Sequence, residues 1–161
     1  MRGIALFVAG VTVGLLVQVG MAQTRRTEVY INHVGVSVPS VADALAFYTQ
    51  KMGFREAFRQ TNPQGQLVSA YVQVSRNTFI ELQEANAQRP AGVNHFGLAA
   101  DSIDDAVKMF RAGGATSSDA GAPSAFSHAR LANVTDLNGV RIELAELTPD
   151  SLQRKAMESW K

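Results

Sequence analysis

Two histidines and two glutamates occupy matching positions of an internal repeat. Residues 31–35, with the sequence INHVG, return as residues 93–97, with the sequence VNHFG, at an offset of 62 residues. Glu81 returns as Glu143 at the same offset, and both glutamates lie between an isoleucine and a leucine. Each histidine therefore precedes the glutamate of its own half by 48 residues, which indicates one module written twice.

Two imidazoles and two carboxylates are the donor set of a divalent metal site. This mixture suits Zn, Ni, Co, Fe or Mn better than Ca or Mg, which favour oxygen ligands. With four protein ligands on a five- or six-coordinate ion, one or two positions stay open for water or substrate oxygens. A single histidine or strand glutamate is usually structural, but paired repeat positions favour a metal site formed by His33, Glu81, His95 and Glu143.

Alternating strands must bring these side chains to one face of a sheet. Residues 29–38 alternate, so that His33 points away from its valine neighbours, and Glu81 and Glu143 likewise point away from their apolar neighbours. We predict strands at 54–60, 67–74 and 78–83 in the first module, and at 93–99, 129–135 and 140–147 in the second. Ser40 and Ser102, each with an aspartate three residues on, predict the start of one helix in each module. One helix covers only one face, so the other face is a concave surface completed by the second module.

Composition excludes several classes of function. The chain has 161 residues, 46% of them hydrophobic, which is typical of one globular domain. The net charge is +1, with 15 basic and 14 acidic residues and no basic cluster, which excludes a nucleic-acid-binding surface. Because the chain contains no cysteine, disulfides and thiol catalysis are also excluded.

The first residues differ in kind from the rest. Arg2 precedes an uncharged apolar run at 4–19 and the small-x-small sequence Gly20-Met21-Ala22. This pattern predicts a signal peptide at residues 1–22 and an exported protein, periplasmic or secreted. The alternative is an uncleaved membrane anchor, because the run approaches the length that spans a bilayer.

Two groups of residues resemble the glyoxalase I, bleomycin resistance and extradiol dioxygenase superfamily, also called vicinal oxygen chelate proteins. The first-module signature is present in residues 33–38 (HVGVSV), 43–44, 47–48 and 52–54, and the second-module ending in residues 134–139 (VTDLNG) and 142–144. The resemblance covers residues 29–147. It implies an α+β fold of two tandem βαβββ modules, at 29–84 and 93–147, that form an open cup-shaped mixed sheet around a divalent metal ion. Residues 148–161 follow as a short C-terminal helix.

Within this superfamily the full four-ligand set is similar to glyoxalase I and to the epimerases. The resemblance implies a lyase or isomerase that acts on a small α-hydroxycarbonyl compound through a metal-stabilised enediolate. It favours Glu143 as the catalytic base, and the repeat symmetry makes Glu81 the other candidate. The predicted substrate contacts on the cup face are Ser69, Tyr71, Gln73, Asn133 and Thr135.

Two other functions stay open at this stage. Bleomycin resistance members use the cup to sequester a ligand without catalysis, and ring-cleaving dioxygenases use Fe(II) held by two histidines and one carboxylate. The expected partner is a small-molecule substrate, and contact with a membrane is expected only through an uncleaved N-terminal segment. The superfamily contains cups closed within one chain and cups shared by two, so a homodimer also stays open.

Overall fold

The computed structural model describes residues 27–161, which form one seven-stranded mixed sheet with three helices. The predicted signal peptide lies outside the described residues. The strands are β1 (Val29–Val38), β2 (Arg55–Thr61), β3 (Leu67–Ser75), β4 (Thr78–Glu84), β5 (Gly92–Ala100), β6 (Arg130–Thr135) and β7 (Arg141–Glu146). The helices are α1 (Val41–Ala46), α2 (Ile103–Ala112) and α3 (Leu152–Glu158), and a π-helical turn, Phe47–Lys51, continues α1.

The sheet shows the duplication directly. Its strand order is β2-β3-β4-β1-β5-β7-β6. In each module the first strand pairs in parallel with the last, β1 with β4 and β5 with β7, and the modules join through the antiparallel pair of β1 and β5. This arrangement confirms the predicted α+β cup, and one chain supplies both of its halves.

Local sequence signals explain the helices. The Ser40 hydroxyl accepts the backbone N–H of Asp43 at 3.2 Å, and the Ser102 hydroxyl accepts that of Asp105 at 3.3 Å, so both predicted N-caps are present. Such a cap satisfies one of the backbone donors that a helix leaves free at its first turn.

The second module has one strand fewer than the first. The counterpart of β2 is reduced to two isolated bridges, which pair Ser117 with Val134 and Pro123 with Arg130. This segment follows Gly113-Gly114 and contains Gly121 and Pro123, residue types that weaken or interrupt a ladder. It instead forms an irregular loop that reaches over the cup.

Apolar side chains pack on both faces of the sheet, but more extensively on the face that carries α1 and α2. Helices α1 and α2 pack on one face through two clusters, one centred on Leu82 and Val72 and the other on Ile103 and Leu144. The opposite, concave face carries smaller clusters and the predicted metal ligands. The cup is therefore supported from behind by two apolar clusters and stays open in front.

Helix α3 closes one end of the cup. Its Ala156 packs against Tyr71 and Phe79, and Arg55 of the edge strand β2 donates to the Ala156 carbonyl at 2.8 Å. The short C-terminal helix predicted from the sequence is confirmed, and it packs on the concave side. Within residues 27–161 no helix is both long and apolar enough to cross a membrane.

Candidate metal centre

The two histidines and two glutamates converge at the bottom of the cup. The Nε2 atoms of His33 and His95 are 3.1 Å apart. Glu81 Oε2 lies 3.1 Å from His95 Nε2 and 3.8 Å from His33 Nε2, and Glu143 Oε1 lies 3.5 Å from His33 Nε2. The exposed fractions of the four residues lie between 0 and 7%. One chain therefore supplies two imidazoles and two carboxylates to one buried point.

The pairing of β1 with β5 places each histidine opposite a glycine. His33 faces Gly97, and Gly35 faces His95. A Cβ atom built on Gly97 would lie 2.0 Å from Cε1 of His33, and one built on Gly35 would lie 1.9 Å from Cε1 of His95. Each ring therefore occupies the space that a side chain at the facing glycine would fill.

A β-bulge next to each histidine turns an asparagine toward its ring. The register of β1 against β5 skips Asn32 on one strand and Asn94 on the other. Asn32 Oδ1 lies 3.2 Å from His33 Nδ1, and Asn94 Oδ1 contacts His95 Nδ1. The amide groups are oriented because Asn32 donates to the Asn77 carbonyl at 3.1 Å and Asn94 donates to the Ser37 hydroxyl at 2.6 Å.

The asparagine contacts orient the histidine rings so that their Nε2 atoms can bind a cation. When each Nδ1–H donates to its asparagine, the two Nε2 atoms face each other with lone pairs at 3.1 Å. Glu81 Oε2 is buried, with no hydrogen-bond donor for it in the described part of the chain. Adjacent ligands at about 2.0–2.1 Å from one ion lie about 2.9–3.4 Å apart. The two 3.1 Å separations fall in this range, whereas the contacts of His33 Nε2 with Glu143 and Glu81, at 3.5 and 3.8 Å, are longer. The site therefore has the donor types, and in two pairs of atoms the separations, of a divalent metal centre.

Arg141 adds a charge to one side of the site. Its Nη1 donates to Glu143 Oε2 at 3.0 Å, and its Nη2 lies 2.7 Å from His95 Nδ1. Asn94 and Arg141 thus compete for the same ring nitrogen. Asn94 favours the tautomer whose Nε2 can bind an ion, whereas Arg141 favours the tautomer whose Nε2–H points at Glu81.

Burial controls the protonation of the site. Burial lowers the pKa of His33 to about 4, against the opposing effect of the Glu81 charge, so this imidazole is neutral at pH 7. Burial, reinforced by the Glu81 charge, raises the pKa of Glu143. Burial also acts to raise the pKa of Glu81, but contact with His95 and the charge that His33 can carry lower it overall. Neutral imidazole and an ionised carboxylate are the forms that bind metal.

A cleft opens above the four donors. Its first half, about 470 Å³, is lined at the bottom by Glu81 and Glu143 and at the sides by Tyr71, Phe126 and Leu131. Phe126 belongs to the loop that replaces a strand in the second module. Tyr71 packs edge-on to the His33 ring, with centroids 5.7 Å apart, and burial raises the pKa of its hydroxyl well above the usual range. A small molecule in this cleft lies between an apolar wall and the donor atoms.

The predicted substrate contacts are distributed unequally around this cleft. Tyr71 lines the first half, and Ser69 lines a second half of about 490 Å³ that adjoins it. Gln73 lies under α3, where it donates to the carbonyls of Arg76 at 2.9 Å and Ala156 at 3.3 Å. Asn133 accepts from Arg141 at 3.2 Å. Thr135 is exposed at the end of β6, beside an apolar cavity on the helix-bearing face.

Sequence reasoning missed several residues that support the site. The asparagines and glycines repeat within the INHVG and VNHFG motifs, so the offset of 62 residues already marked them. Arg141 has no such signal, because the equivalent position in the first module is Phe79. Gln83, which donates to Glu81 Oε1 at 2.8 Å, lacks a counterpart as well.

Comparison with known proteins was made at the level of sequence and of structure. Residues 30–144 match the family model described as the glyoxalase/bleomycin resistance protein/dioxygenase superfamily. No curated protein matches the sequence.

Several solved structures share the fold. A methylmalonyl-CoA epimerase from Mycobacterium tuberculosis is 22% identical, covers 80% of this chain and 94% of its own, and has a TM-score of 0.64. A hypothetical protein from Bacillus halodurans C-125 is also 22% identical, with coverage of 77% and 98% and a TM-score of 0.63. A Streptomyces coelicolor methylmalonyl-CoA epimerase variant with 2-nitronate-propionyl-CoA is 19% identical, with coverage of 72% and 95% and a TM-score of 0.58. At these identities the likeness shows the fold alone.

A methyl group at Gly97 should remove the metal site. In Gly97→Ala the new Cβ overlaps the His33 ring, which must leave its position, so we expect divalent metal affinity to fall at least about 100-fold, measured by calorimetric titration. Gly121→Ala is the matched control, because its Cβ would meet only the Leu131 carbonyl oxygen at 3.8 Å. Equal affinity in both variants would show that the His33 ring is not a ligand.

Removal of the Asn94 amide should weaken metal binding without removing a ligand. In Asn94→Ala, Arg141 is left as the sole partner of His95 Nδ1 among the described side chains, and we expect affinity to fall about 10–100-fold. Asn77→Ala serves as the control, since Asn77 contributes only its backbone carbonyl. An unchanged affinity in Asn94→Ala would mean that the asparagine does not set the tautomer.

Proposed function

Because the chain belongs to the glyoxalase/bleomycin resistance protein/dioxygenase superfamily, we propose that it is a divalent-metal-dependent lyase or isomerase of the glyoxalase I type. Its substrate is a small α-hydroxycarbonyl compound, and the reaction moves a proton between neighbouring carbons. The observation that carries this proposal is the convergence of His33, His95, Glu81 and Glu143 at the bottom of an open cleft.

The second carboxylate favours a proton shift over ring cleavage by oxygen. His33, His95 and Glu143 by themselves place donor atoms within 4.8 Å of one another, which is the two-histidine, one-carboxylate pattern of Fe(II) oxygenases. Glu81 adds a fourth buried donor, 3.1 Å from His95 Nε2. A site with two carboxylates can hold an ion with one and move a proton with the other.

Each residue of the cleft then has a defined task. When bound, a divalent ion supplies Lewis-acid stabilisation of the negative charge that develops on substrate oxygen. Glu143 accepts the proton from the substrate carbon and returns it to the neighbouring carbon, while Arg141 holds its second oxygen at 3.0 Å. Tyr71 and Phe126 exclude water from the side of the reacting carbon.

The names of the structural neighbours suggest a further substrate class, and the buried carboxylates bear on ligand sequestration as an alternative. The structural neighbours include methylmalonyl-CoA epimerases, whose names indicate inversion at a carbon next to a thioester, so thioesters belong in the substrate screen. Ligand sequestration without metal is the second candidate. The two buried carboxylates at the bottom of the cleft argue against it, because burying such groups is costly unless they share a cation or a proton.

We also propose that the protein is exported. The support is the sequence of the first 22 residues, with Arg2, the apolar run at 4–19 and the small residues at 20–22. The mature N-terminus of protein recovered from the native host tests this, because cleavage after Ala22 leaves Gln23 as the first residue.

Replacement of the base should separate catalysis from metal binding. In Glu143→Gln the amide oxygen can still face the ion but cannot accept a proton, so we expect stoichiometric metal at saturating concentration and at least about a 100-fold loss of turnover. The assay is deuterium incorporation from D₂O at the carbon next to the carbonyl, followed by NMR. The panel contains α-hydroxyaldehydes, α-hydroxyketones and α-substituted thioesters, with and without glutathione.

The matched variant is Glu81→Gln. If Glu81→Gln loses exchange and Glu143→Gln keeps it, the base is Glu81. Untagged protein without a stoichiometric divalent ion, by elemental analysis, would favour sequestration. If the Fe(II)-loaded protein consumes oxygen in the presence of catechols, its activity is ring cleavage and the proposed proton shift is wrong.

A further inference from the structure

Arg89 lies at the boundary between the two halves of the cleft. It belongs to the connector between β4 and β5 and lines both halves, together with Phe126 and Gln83. Glu81 and Glu143 are buried on their strands, whereas Arg89 belongs to a connector and is half-buried, which places it nearer the rim. It is therefore placed to contact the part of a bound molecule that does not react.

The backbone holds this arginine in position. Arg89 and Asn86 form a β-bridge, with Asn86 N–H donating to the Arg89 carbonyl at 2.8 Å and Arg89 N–H donating to the Asn86 carbonyl at 3.1 Å. The Asn86 side chain also accepts from Arg89 N–H at 2.9 Å. The guanidinium is fixed at one corner, because its Nη2 donates to the Glu84 carbonyl at 2.8 Å.

The other N–H groups of the Arg89 guanidinium have no hydrogen-bond acceptor within residues 27–161. Its Nε is buried and has no hydrogen-bond partner within residues 27–161. No carboxylate of the described chain pairs with Arg89, whereas Arg141, the other arginine that lines this cleft, is paired with Glu143. Nη1 makes no hydrogen bond to any described residue, so an oxyanion in the cleft would accept a charge-assisted bond from it.

We propose that Arg89 binds an oxyanionic group, a carboxylate or a phosphate, at the end of the substrate remote from its two adjacent oxygens. The inference rests on the proposed function and narrows its substrate class to α-hydroxycarbonyl compounds with an anionic tail. Glu81 and Glu143 at the bottom would hold the cation that binds the reacting end, and Arg141 there is paired with Glu143, while Arg89 selects the tail. Glu84 also lines the second half, and only its backbone carbonyl contacts Arg89.

Hydroxamates test this without knowledge of the natural substrate, since they chelate a metal ion through two adjacent oxygens. The probe is the monohydroxamate of succinic acid, and its neutral match is the same molecule with the carboxylic acid replaced by the carboxamide. Binding is followed in the Co(II)-loaded full chain by its visible spectrum and by calorimetry. The malonic and glutaric homologues shorten and lengthen the distance between the hydroxamate and the carboxylate by one methylene group. The probe 3-phosphonopropionohydroxamate compares a phosphonate with the carboxylate.

We expect one of the anionic probes to bind at least 10-fold more tightly than its carboxamide match. In Arg89→Gln this preference should fall below 3-fold, with Co(II) affinity unchanged. Arg89→Lys keeps the charge but loses the planar guanidinium, so it should keep part of the preference for the anionic probe. Arg76→Gln is the control for net charge, because Arg76 is exposed in the β3–β4 turn, away from the cleft.

The outcomes separate this inference from the proposed function. If Co(II) binds and the acid and amide probes bind equally to the wild type at every length, the anion subsite is wrong and the metal site stands. A preference that survives in Arg89→Gln assigns the anion to another residue and also overturns the inference. If neither Co(II) nor any hydroxamate binds, the proposed function fails and this inference fails with it.

Discussion

The antiparallel pairing of β1 with β5 is the constraint on which the rest of the structure depends. It sets each histidine against a glycine of the other strand, and the two Nε2 atoms come to 3.1 Å only because no Cβ stands between ring and strand. The same strands carry the bulges that bring the asparagines to the rings. A slip of one strand by one residue would turn its histidine to the helix-bearing face and separate the two rings.

Burying four ionisable side chains at one point is expensive unless they share a cation or protons. The neutral state of His33, with a pKa of about 4, reduces that cost, and the asparagine contacts offset part of the remainder. The two apolar clusters behind the sheet hold the strands in place while the front stays polar. Stability is thus concentrated on one face and chemistry on the other.

The duplication gives a symmetric donor set, but its surroundings are asymmetric. Glu81 is held by the neutral amide of Gln83, whereas Glu143 is held by the cation of Arg141. Helix α3 fills the cup at one end of the first module, and the loop with Phe126 reaches over it from the second. These additions turn a symmetric cup into a cleft with two different ends.

The sequence by itself determined the modules, the strands and the four donors. Alternation and capping are local properties, and residues that repeat at one offset must occupy equivalent places in the two halves, so His33, Glu81, His95 and Glu143 could be identified without coordinates. Alternation and capping patterns do not show which side chains from distant parts of the chain contact a given residue. Only the tertiary structure decided that the cup closes within one chain, that Gln73 serves α3, that Arg141 reaches His95 and that Arg89 stands over the cleft. Each of these depends on strand order or on an irregular connector, where long-range packing rather than periodicity fixes the direction of a side chain.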